Sequence, residues 1–426
     1  MTNTQGGLCV QSNPHFYFIE RPIQMTRDRK SLALLFMAVA FVFGIVIYRQ
    51  LPVGDYQHHL EWARELSDSG YIYRPPNNLF QNLVVILRPL IPFRVFTKIN
   101  PYINALIDAK SYDITTLILM VAAMAATALI VFKRFTDMWG TAEKKYSPWL
   151  TVGLTLVTML VGPIFFFTVP ERTYLGYITG NVYHNPTFIL LRPLAMLVFY
   201  LTFRQLYSPP GWKPIVLGAV WLALATQAKP SFTITFLPAV GLLALFQIKR
   251  FRSLNWWFVI VALALPAIVI LAEQFYMTYL GEDSDSIIFA PFKAILQYVP
   301  NLGSMFLFLL LSILFPLLLT LFYRQQLRDD KTVLLVWLNF VVAIVIALLF
   351  SEVKNMAHLN FWWGAMVALF ILFTETIGQA ARLGVFDFRN QKRLAVNIVL
   401  TGTLSLHFVC GVIYYMNSIF HPAPVI

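Results

Sequence analysis

The stretch from residue 332 to residue 350, TVLLVWLNFVVAIVIALLF, contains 19 residues and no charge. As an α-helix it would be about 28 Å long, close to the ~30 Å hydrocarbon core of a bilayer. Similar apolar runs follow one another from Ser31 to Tyr415 and leave no interval for a large soluble domain. The sequence therefore predicts an all-α, polytopic membrane protein.

The composition supports the same class of protein. Hydrophobic residues make up 58% of the chain and charged residues 12%, whereas soluble proteins average about 25% charged residues. The net charge of +12 does not indicate a nucleic-acid partner, because the basic residues lie in short loops between apolar runs, where membrane orientation explains them. Membrane lipids are the expected surroundings.

The apolar runs predict about eleven transmembrane spans. They cover residues 31–48, 113–132, 148–169, 187–203, 214–228, 231–246, 255–272, 303–323, 332–350, 361–377 and 394–415. The fifth and sixth are short and meet at Lys229-Pro230, so one re-entrant pair is an alternative to two spans. The expected division is a cytoplasmic N-terminal segment (1–30), an integral-membrane domain (31–415) and a short outer tail (416–426).

The basic residues also predict the orientation. If the N-terminus is cytoplasmic, every short loop on the cytoplasmic side carries Lys or Arg, as the positive-inside rule requires. Tyr48-Arg49-Gln50 follows the first apolar run in place of a small-residue cleavage site, so this run is expected to remain as a span. Met25 stands just before a basic flank and is an alternative start. These features predict a multi-pass protein of the cell inner membrane.

The longest interruption between spans is residues 49–112, predicted to lie on the outer side. Apolar residues recur along one face of its first part: Tyr56, Leu60, Ala63 and Leu66. This pattern predicts a helix over residues 55–69 that lies in the membrane interface. Residues 83–93 are too short a run to cross and are expected to lie flat or dip in. Long loops of this kind are usually functional.

Asp55 opens this predicted helix directly after Gly54. A carboxylate at the membrane surface can accept a proton from a sugar hydroxyl, which is the task of a general base in glycosyl transfer. The alternative is that Asp55 only caps the helix N-terminus. The neighbouring His58, His59 and Glu61 are candidate substrate ligands.

Adjacent histidines on a helix project about 100° apart, which disfavours one metal ion shared by His58 and His59. A zinc site completed by His184 or His358 is geometrically possible, but the chain contains no His-Glu-x-x-His motif. We therefore expect no cofactor, and a divalent metal is unsupported by the sequence.

Five cations on the predicted outer side are candidate phosphate ligands: Arg74, Arg172, Arg192, Lys229 and Lys354. Lys229 is the best placed, because the tight junction Gln227-Ala228-Lys229-Pro230-Ser231 forces its ammonium to extend outward or meet an anion. Simple extension toward water is the alternative for each cation.

Two smaller outer loops contain further candidates. The loop around Asn181 includes His184 and ends where Asn185 or Thr187 can cap the next helix. Helical periodicity over residues 352–359 would place Glu352 on one face and Lys354 with His358 on another. Two tryptophans follow, and they suit either an aromatic belt at the interface or a platform for a sugar ring: Trp362 and Trp363.

The predicted spans carry few ionisable residues. Arg192, Glu273 and Glu375 lie near predicted span ends, and no acidic residue falls at a bilayer midplane. Carriers coupled to protons or sodium usually need an acidic residue there. The pattern therefore disfavours a coupled transporter.

The order of these features resembles the GT-C superfamily of integral-membrane glycosyltransferases. The residues that carry the resemblance are Gly54-Asp55-Tyr56-Gln57-His58-His59, His184-Asn185-Pro186-Thr187 and Gln227-Ala228-Lys229-Pro230. The resemblance implies a polyprenyl-phosphate-linked sugar donor, a glycan or lipid acceptor, and Asp55 as the base. Many members carry paired acidic residues in the first outer loop, whereas this chain has Asp55 with Glu61 six residues on.

Two other classes of membrane protein also handle lipid-linked sugars. An O-antigen-type polymerase or ligase usually has its large outer loop late in the chain, and here the large loop comes first. A flippase or other carrier would move a lipid-linked sugar without forming a bond. The sequence favours the transferase.

Overall fold

The computed structural model describes residues 25–70, 76–90, 101–140, 148–165, 176–247, 253–280, 284–389 and 391–422. The described residues form fourteen α-helices: α1 (Met25–Gln50), α2 (Gly54–Ser69), α3 (Leu79–Leu87), α4 (Pro101–Gly140), α5 (Pro148–Leu160), α6 (Pro186–Gln205), α7 (Trp212–Ala228), α8 (Ser231–Phe246), α9 (Leu265–Tyr279), α10 (Leu302–Phe322), α11 (Arg324–Leu327), α12 (Lys331–Leu349), α13 (Trp362–Arg382) and α14 (Leu394–Phe420). Two short strands, β1 (Ile287–Phe289) and β2 (Phe350–Glu352), pair with each other.

Within these residues, eight helical segments are long and apolar enough to cross a membrane: Arg29–Gln50, Lys110–Trp139, Pro186–Gln205, Phe258–Tyr279, Leu302–Phe322, Lys331–Leu349, Met356–Arg382 and Leu394–Phe420. The predicted all-α, polytopic membrane fold is confirmed. Three other predicted spans are shorter helices, α5 with 13 residues, α7 with 17 and α8 with 16. The total of eleven crossings therefore stays a prediction.

Helix α5 ends well before the predicted boundary at residue 169. It stops at Leu160 because Gly162-Pro163 follows, and a proline excludes the helical conformation of the preceding residue and has no N–H to donate. The chain then turns into the protein interior, where Gly162 N donates to His407 O at 3.0 Å and Ile164 N donates to Leu311 O at 3.1 Å.

Helices α7 and α8 are separate helices joined at Lys229-Pro230. Helix α7 packs along α6. Just after the C-terminus of α6, Asn255 N donates to Leu206 O at 2.9 Å. At the C-terminus of α7, Asn77 Nδ2 donates to Ala228 O at 3.1 Å. Helix α8 then starts at Ser231 and packs against α12 and α13. The choice between two spans and one re-entrant pair stays a prediction, since these helices have 17 and 16 residues.

Two helices, α2 and α3, lie between α1 and α4 in the chain, where the sequence predicts helices in the membrane interface. Helix α2 buries Tyr56, Leu60 and Ala63, as its periodicity predicts. Helix α3 starts at Leu79, four residues before the predicted run. The two helices pack against each other, and both contact α6, so the first long loop covers one end of the helix bundle.

The opposite end of the bundle contains a buried ion pair that the sequence did not predict. Arg134 was expected in a cytoplasmic loop, but α4 continues to Gly140 and buries it. Arg134 Nε and Nη2 donate to the two carboxylate oxygens of Glu375 in α13 at 2.7 and 2.8 Å. The pair offsets the cost of burying each charge and so lets both helices extend past it.

The helical pattern predicted over residues 352–359 is wrong. Residues 350–352 form β2, which pairs antiparallel with β1 so that Glu352 lies opposite Ile287. The Asp285 carboxylate accepts hydrogen bonds from the backbone N–H groups of Val353, Lys354 and Asn355 at 3.1, 2.8 and 3.1 Å. These contacts with a distant segment outweigh a helical pattern only eight residues long.

Candidate functional site

The Asp55 carboxylate is held by a side chain of another helix. Val53 occupies the N-cap position of α2, and Gly54 has a φ of +59°, a conformation that favours glycine. Asp55 therefore lies in the first turn and does not cap the helix. Its Oδ2 accepts a hydrogen bond from Asn185 Nδ2 at 2.6 Å, so the capping alternative is wrong.

Asn185 joins two elements through one amide. Its Oδ1 accepts from Phe188 N at 2.9 Å and from Thr187 Oγ1 at 2.7 Å, so it caps α6 as the sequence predicts. The other end of the same amide donates to Asp55. Because the cap fixes the amide orientation, its N–H is aimed at the carboxylate, and Asp55 Oδ1 remains able to accept a proton.

His58 and His59 lie in different environments, as their spacing predicts. His59 is buried, and Gln81 Nε2 is 2.7 Å from its Nδ1. Burial lowers the pKa of His59 to about 3, so its imidazole is neutral near pH 7. His58 is half-exposed and lies 3.6 Å from the Glu61 carboxylate. Gln81 was not predicted, since nothing in its local sequence marks it.

Lys229 lies between α7 and α8, and its ammonium is 4.4 Å from the centre of the Trp363 ring. Among the described residues, no carboxylate comes within 4.0 Å of it. Burial lowers the pKa of Lys229 to about 8, and the charges of Asp55 and then Glu352 oppose this shift. An ammonium whose pKa is lowered by burial gains stability from a bound anion.

His184 faces the same tryptophan from another side. Its ring centre is 6.0 Å from that of Trp363, and burial lowers the pKa of His184. Trp362 is only 4% exposed, unlike a side chain of an aromatic belt at the lipid surface. Trp363 contacts Lys229 and His184. The sequence had left open whether this tryptophan belongs to an aromatic belt or to a platform for a sugar ring.

A cavity of about 790 Å³ lies at this end of the bundle, within the size range of small-ligand sites. Five of the predicted substrate ligands line it: His59, Lys229, Glu352, Lys354 and His358. Five other predicted residues do not line it: Asp55, His58, Glu61, His184 and Asn185. The negative charge of Asp55 favours the protonated forms of two residues that do line the cavity, His59 and Lys229.

Two predicted phosphate ligands, Arg74 and Arg172, lie outside the described residues. Arg192 is 0% exposed inside α6, so its assignment as a phosphate ligand at the outer surface is wrong. Its Nη1 donates to Asn181 Oδ1 at 2.7 Å, and its guanidinium lies 4.8 Å from the Phe370 ring centre. Asn181 lies in a loop, as predicted, but its side chain is buried.

The Glu352 carboxylate forms a second polar cluster on the cavity wall. Tyr279 Oη donates to its Oε1 at 2.7 Å, and Asn360 Nδ2 donates to its Oε2 at 2.5 Å. Tyr279 was not predicted, because it is 73 residues from Glu352 and only the fold brings the two together; Asn360 lies eight residues after Glu352 and was not singled out as its partner. In the part of the chain that the structure covers, no three His, Cys, Asp or Glu side chains are grouped closely enough for one metal ion.

This end of the bundle has three chemical features. The site combines an amide-oriented carboxylate, a buried ammonium and a cavity with both polar and aromatic walls. Comparison of the chain with protein-family models finds no match, and comparison with curated proteins finds none either.

Proposed function

We propose that this protein is a membrane glycosyltransferase that moves a sugar from a polyprenyl-phosphate-linked donor to a cell-envelope glycan or lipid acceptor. The proposed location is the outer face of the cytoplasmic membrane, with the N-terminus in the cytoplasm. The observation that carries this proposal is the Asp55 carboxylate, fixed at 2.6 Å by Asn185 and close enough to Lys229 for their charges to interact.

The proposed reaction needs a base and a cation. The acceptor hydroxyl oxygen attacks the anomeric carbon of the donor while Asp55 Oδ1 takes the hydroxyl proton. The bond from the anomeric carbon to the phosphate oxygen breaks, and the phosphate leaves with the electron pair. Lys229 stabilises the negative charge on that phosphate. Holding both reactants in place supplies much of the remaining rate enhancement.

The cavity wall also suits a donor that diffuses within the bilayer. Leu271 and Phe275 of α9 line the cavity, and Phe275 is 48% exposed on the outer surface of the helix bundle. Among the described α-helices, α9 packs mainly against α7. Because Phe275 both lines the cavity and is exposed on α9, we expect the lipid tail of the donor to lie along α9 while its phosphate reaches Lys229.

Incubation of the purified protein with labelled lipid-linked sugars and candidate acceptors tests the proposal. Addition of a single sugar to an acceptor supports it. Transfer of a whole glycan block indicates the polymerase or ligase class instead. Movement of the donor across a vesicle membrane with no covalent product indicates a carrier and contradicts the proposal.

The affinity for a phosphate-bearing donor should depend on the charge of Lys229. Because the pKa of Lys229 is lowered to about 8, the ammonium is charged below that pH and neutral above it. We expect donor affinity to be constant below about pH 7 and to fall up to about tenfold per pH unit above pH 8. Binding titrations from pH 6.5 to 9.5 measure this.

Lys229→Arg is the matched variant for that titration, because a guanidinium stays charged throughout this range. It should bind with little dependence on pH, and Lys229→Ala should bind weakly at every pH. An unchanged pH profile in Lys229→Arg would exclude Lys229 as the group responsible.

The proposed orientation predicts which positions react with an impermeant thiol reagent. In a variant without native cysteines, Ser69→Cys at the exposed end of α2 should be labelled from the outer side. Asp329→Cys, exposed in the turn before α12, should react only after the membrane is permeabilised. The reverse pattern would place Asp55 on the cytoplasmic side and contradict the proposed location.

A further inference from the structure

Among the described residues, the buried Glu352 carboxylate forms no ion pair. Its side chain is 7% exposed, and within the described residues no Lys, Arg or His comes within 4.0 Å of it. The hydroxyl of Tyr279 and the amide of Asn360 each use one lone pair of the carboxylate. A carboxylate has about four such acceptor positions, so about two remain for a ligand.

The surrounding wall combines flat aromatic rings with planar polar side chains. Trp62, Phe275 and Phe361 supply the rings, and Asn77 and Gln274 supply amides. The C–H faces of a sugar ring pack on aromatic rings, which carry negative charge on their faces. The hydroxyl groups around the edge of the sugar ring need hydrogen-bond acceptors and donors. The wall offers both kinds of contact.

Lys229 and Glu352 line the same cavity, and the charge of Glu352 favours the ammonium form of Lys229 although the two form no ion pair within 4.0 Å. A ligand with an anionic group at one end and hydrogen-bond donors at the other would satisfy both residues. A sugar phosphate has this arrangement. A sugar that also carries a carboxylate, as in a uronic acid, would be repelled by the Glu352 carboxylate.

We propose that Glu352, positioned by Tyr279 and Asn360, binds hydroxyl groups of the donor's sugar ring, so that the cavity selects a neutral pyranose whose phosphate lies at Lys229. This assignment rests on the proposed glycosyltransferase function and identifies the sugar-binding end of the same site. Glu352 accordingly acts in recognition of the sugar, whereas Asp55 acts in proton transfer.

Binding of water-soluble fragments of the donor tests this assignment without requiring any transfer reaction. Purified full-length protein in lipid nanodiscs is titrated with a neutral hexose 1-phosphate, with the matching uronic acid 1-phosphate and with inorganic phosphate. The neutral sugar phosphate should bind about tenfold more tightly than either of the other two, because hydrogen bonds to a charged group contribute strongly.

Glu352→Gln should reduce binding of the hexose 1-phosphate about tenfold, to the level of inorganic phosphate, and leave phosphate binding unchanged. Tyr279→Phe, which keeps the carboxylate but removes one positioning hydrogen bond, should show a smaller loss. Glu273→Gln is the matched control, since Glu273 is exposed on α9 and does not line the cavity. It should bind like the unmodified protein.

Equal binding of hexose 1-phosphate and phosphate, or undetectable binding of both, would overturn the assignment. So would tighter binding of an amino-sugar phosphate than of the neutral one, because Glu352 would then select an ammonium group. Normal binding without any glycosyl product would instead contradict the glycosyltransferase proposal and leave the sugar site in place.

Discussion

Asp55→Asn should fold normally and lose about 10²-fold or more in turnover, the usual scale for a positioned general base. The asparagine keeps the size of the side chain, and its amide oxygen can still accept the hydrogen bond from Asn185. It cannot take a proton from an acceptor hydroxyl. The loss should therefore appear in kcat, with little change in donor affinity.

Initial rates at saturating donor measure this effect, with Asp68→Asn as the control on the same helix. Asp68 is exposed in the last turn of α2, so its variant should retain full activity. A fully active Asp55→Asn enzyme would remove Asp55 as the base and direct the search to Glu61 and Glu352.

Glu375→Leu should lower the free energy of unfolding by about 3–5 kcal/mol, the typical cost of breaking a buried ion pair on one side. Both carboxylate oxygens of Glu375 accept hydrogen bonds from Arg134 at 2.7 and 2.8 Å. Without them the buried guanidinium loses the carboxylate that accepts both of these hydrogen bonds. The double variant Arg134→Met/Glu375→Leu should recover most of the loss, because it removes both charges together.

Denaturant titration in detergent measures these differences. Lys133→Met serves as the control, because Lys133 is adjacent to Arg134 and makes a partly exposed ion pair with Asp137 at 3.5 Å. Such pairs contribute about 0–1 kcal/mol. If Glu375→Leu were no less stable than Lys133→Met, the buried pair would not hold α4 against α13.

Hydrophobic periodicity was a good guide to helices and a poor guide to the short segments between them. The apolar face of α2 and the cap at Asn185 followed from local sequence rules. The pattern over residues 352–359 obeyed the same rules and was wrong, because β1 and the Asp285 carboxylate bind that segment. Short segments take their structure from distant contacts, since a helix this short is marginal alone.

The sequence by itself determined that the chain forms long apolar helices, because burying twenty-residue apolar runs in lipid requires internally satisfied backbone groups. It also identified Asp55, Asn185, Lys229 and Glu352 as unusual polar residues between those helices. Only the tertiary structure decided which of them meet. Asn185 is 130 residues from Asp55, and Tyr279 is 73 residues from Glu352. No local periodicity encodes such pairings, which depend on how the helices pack around the cavity.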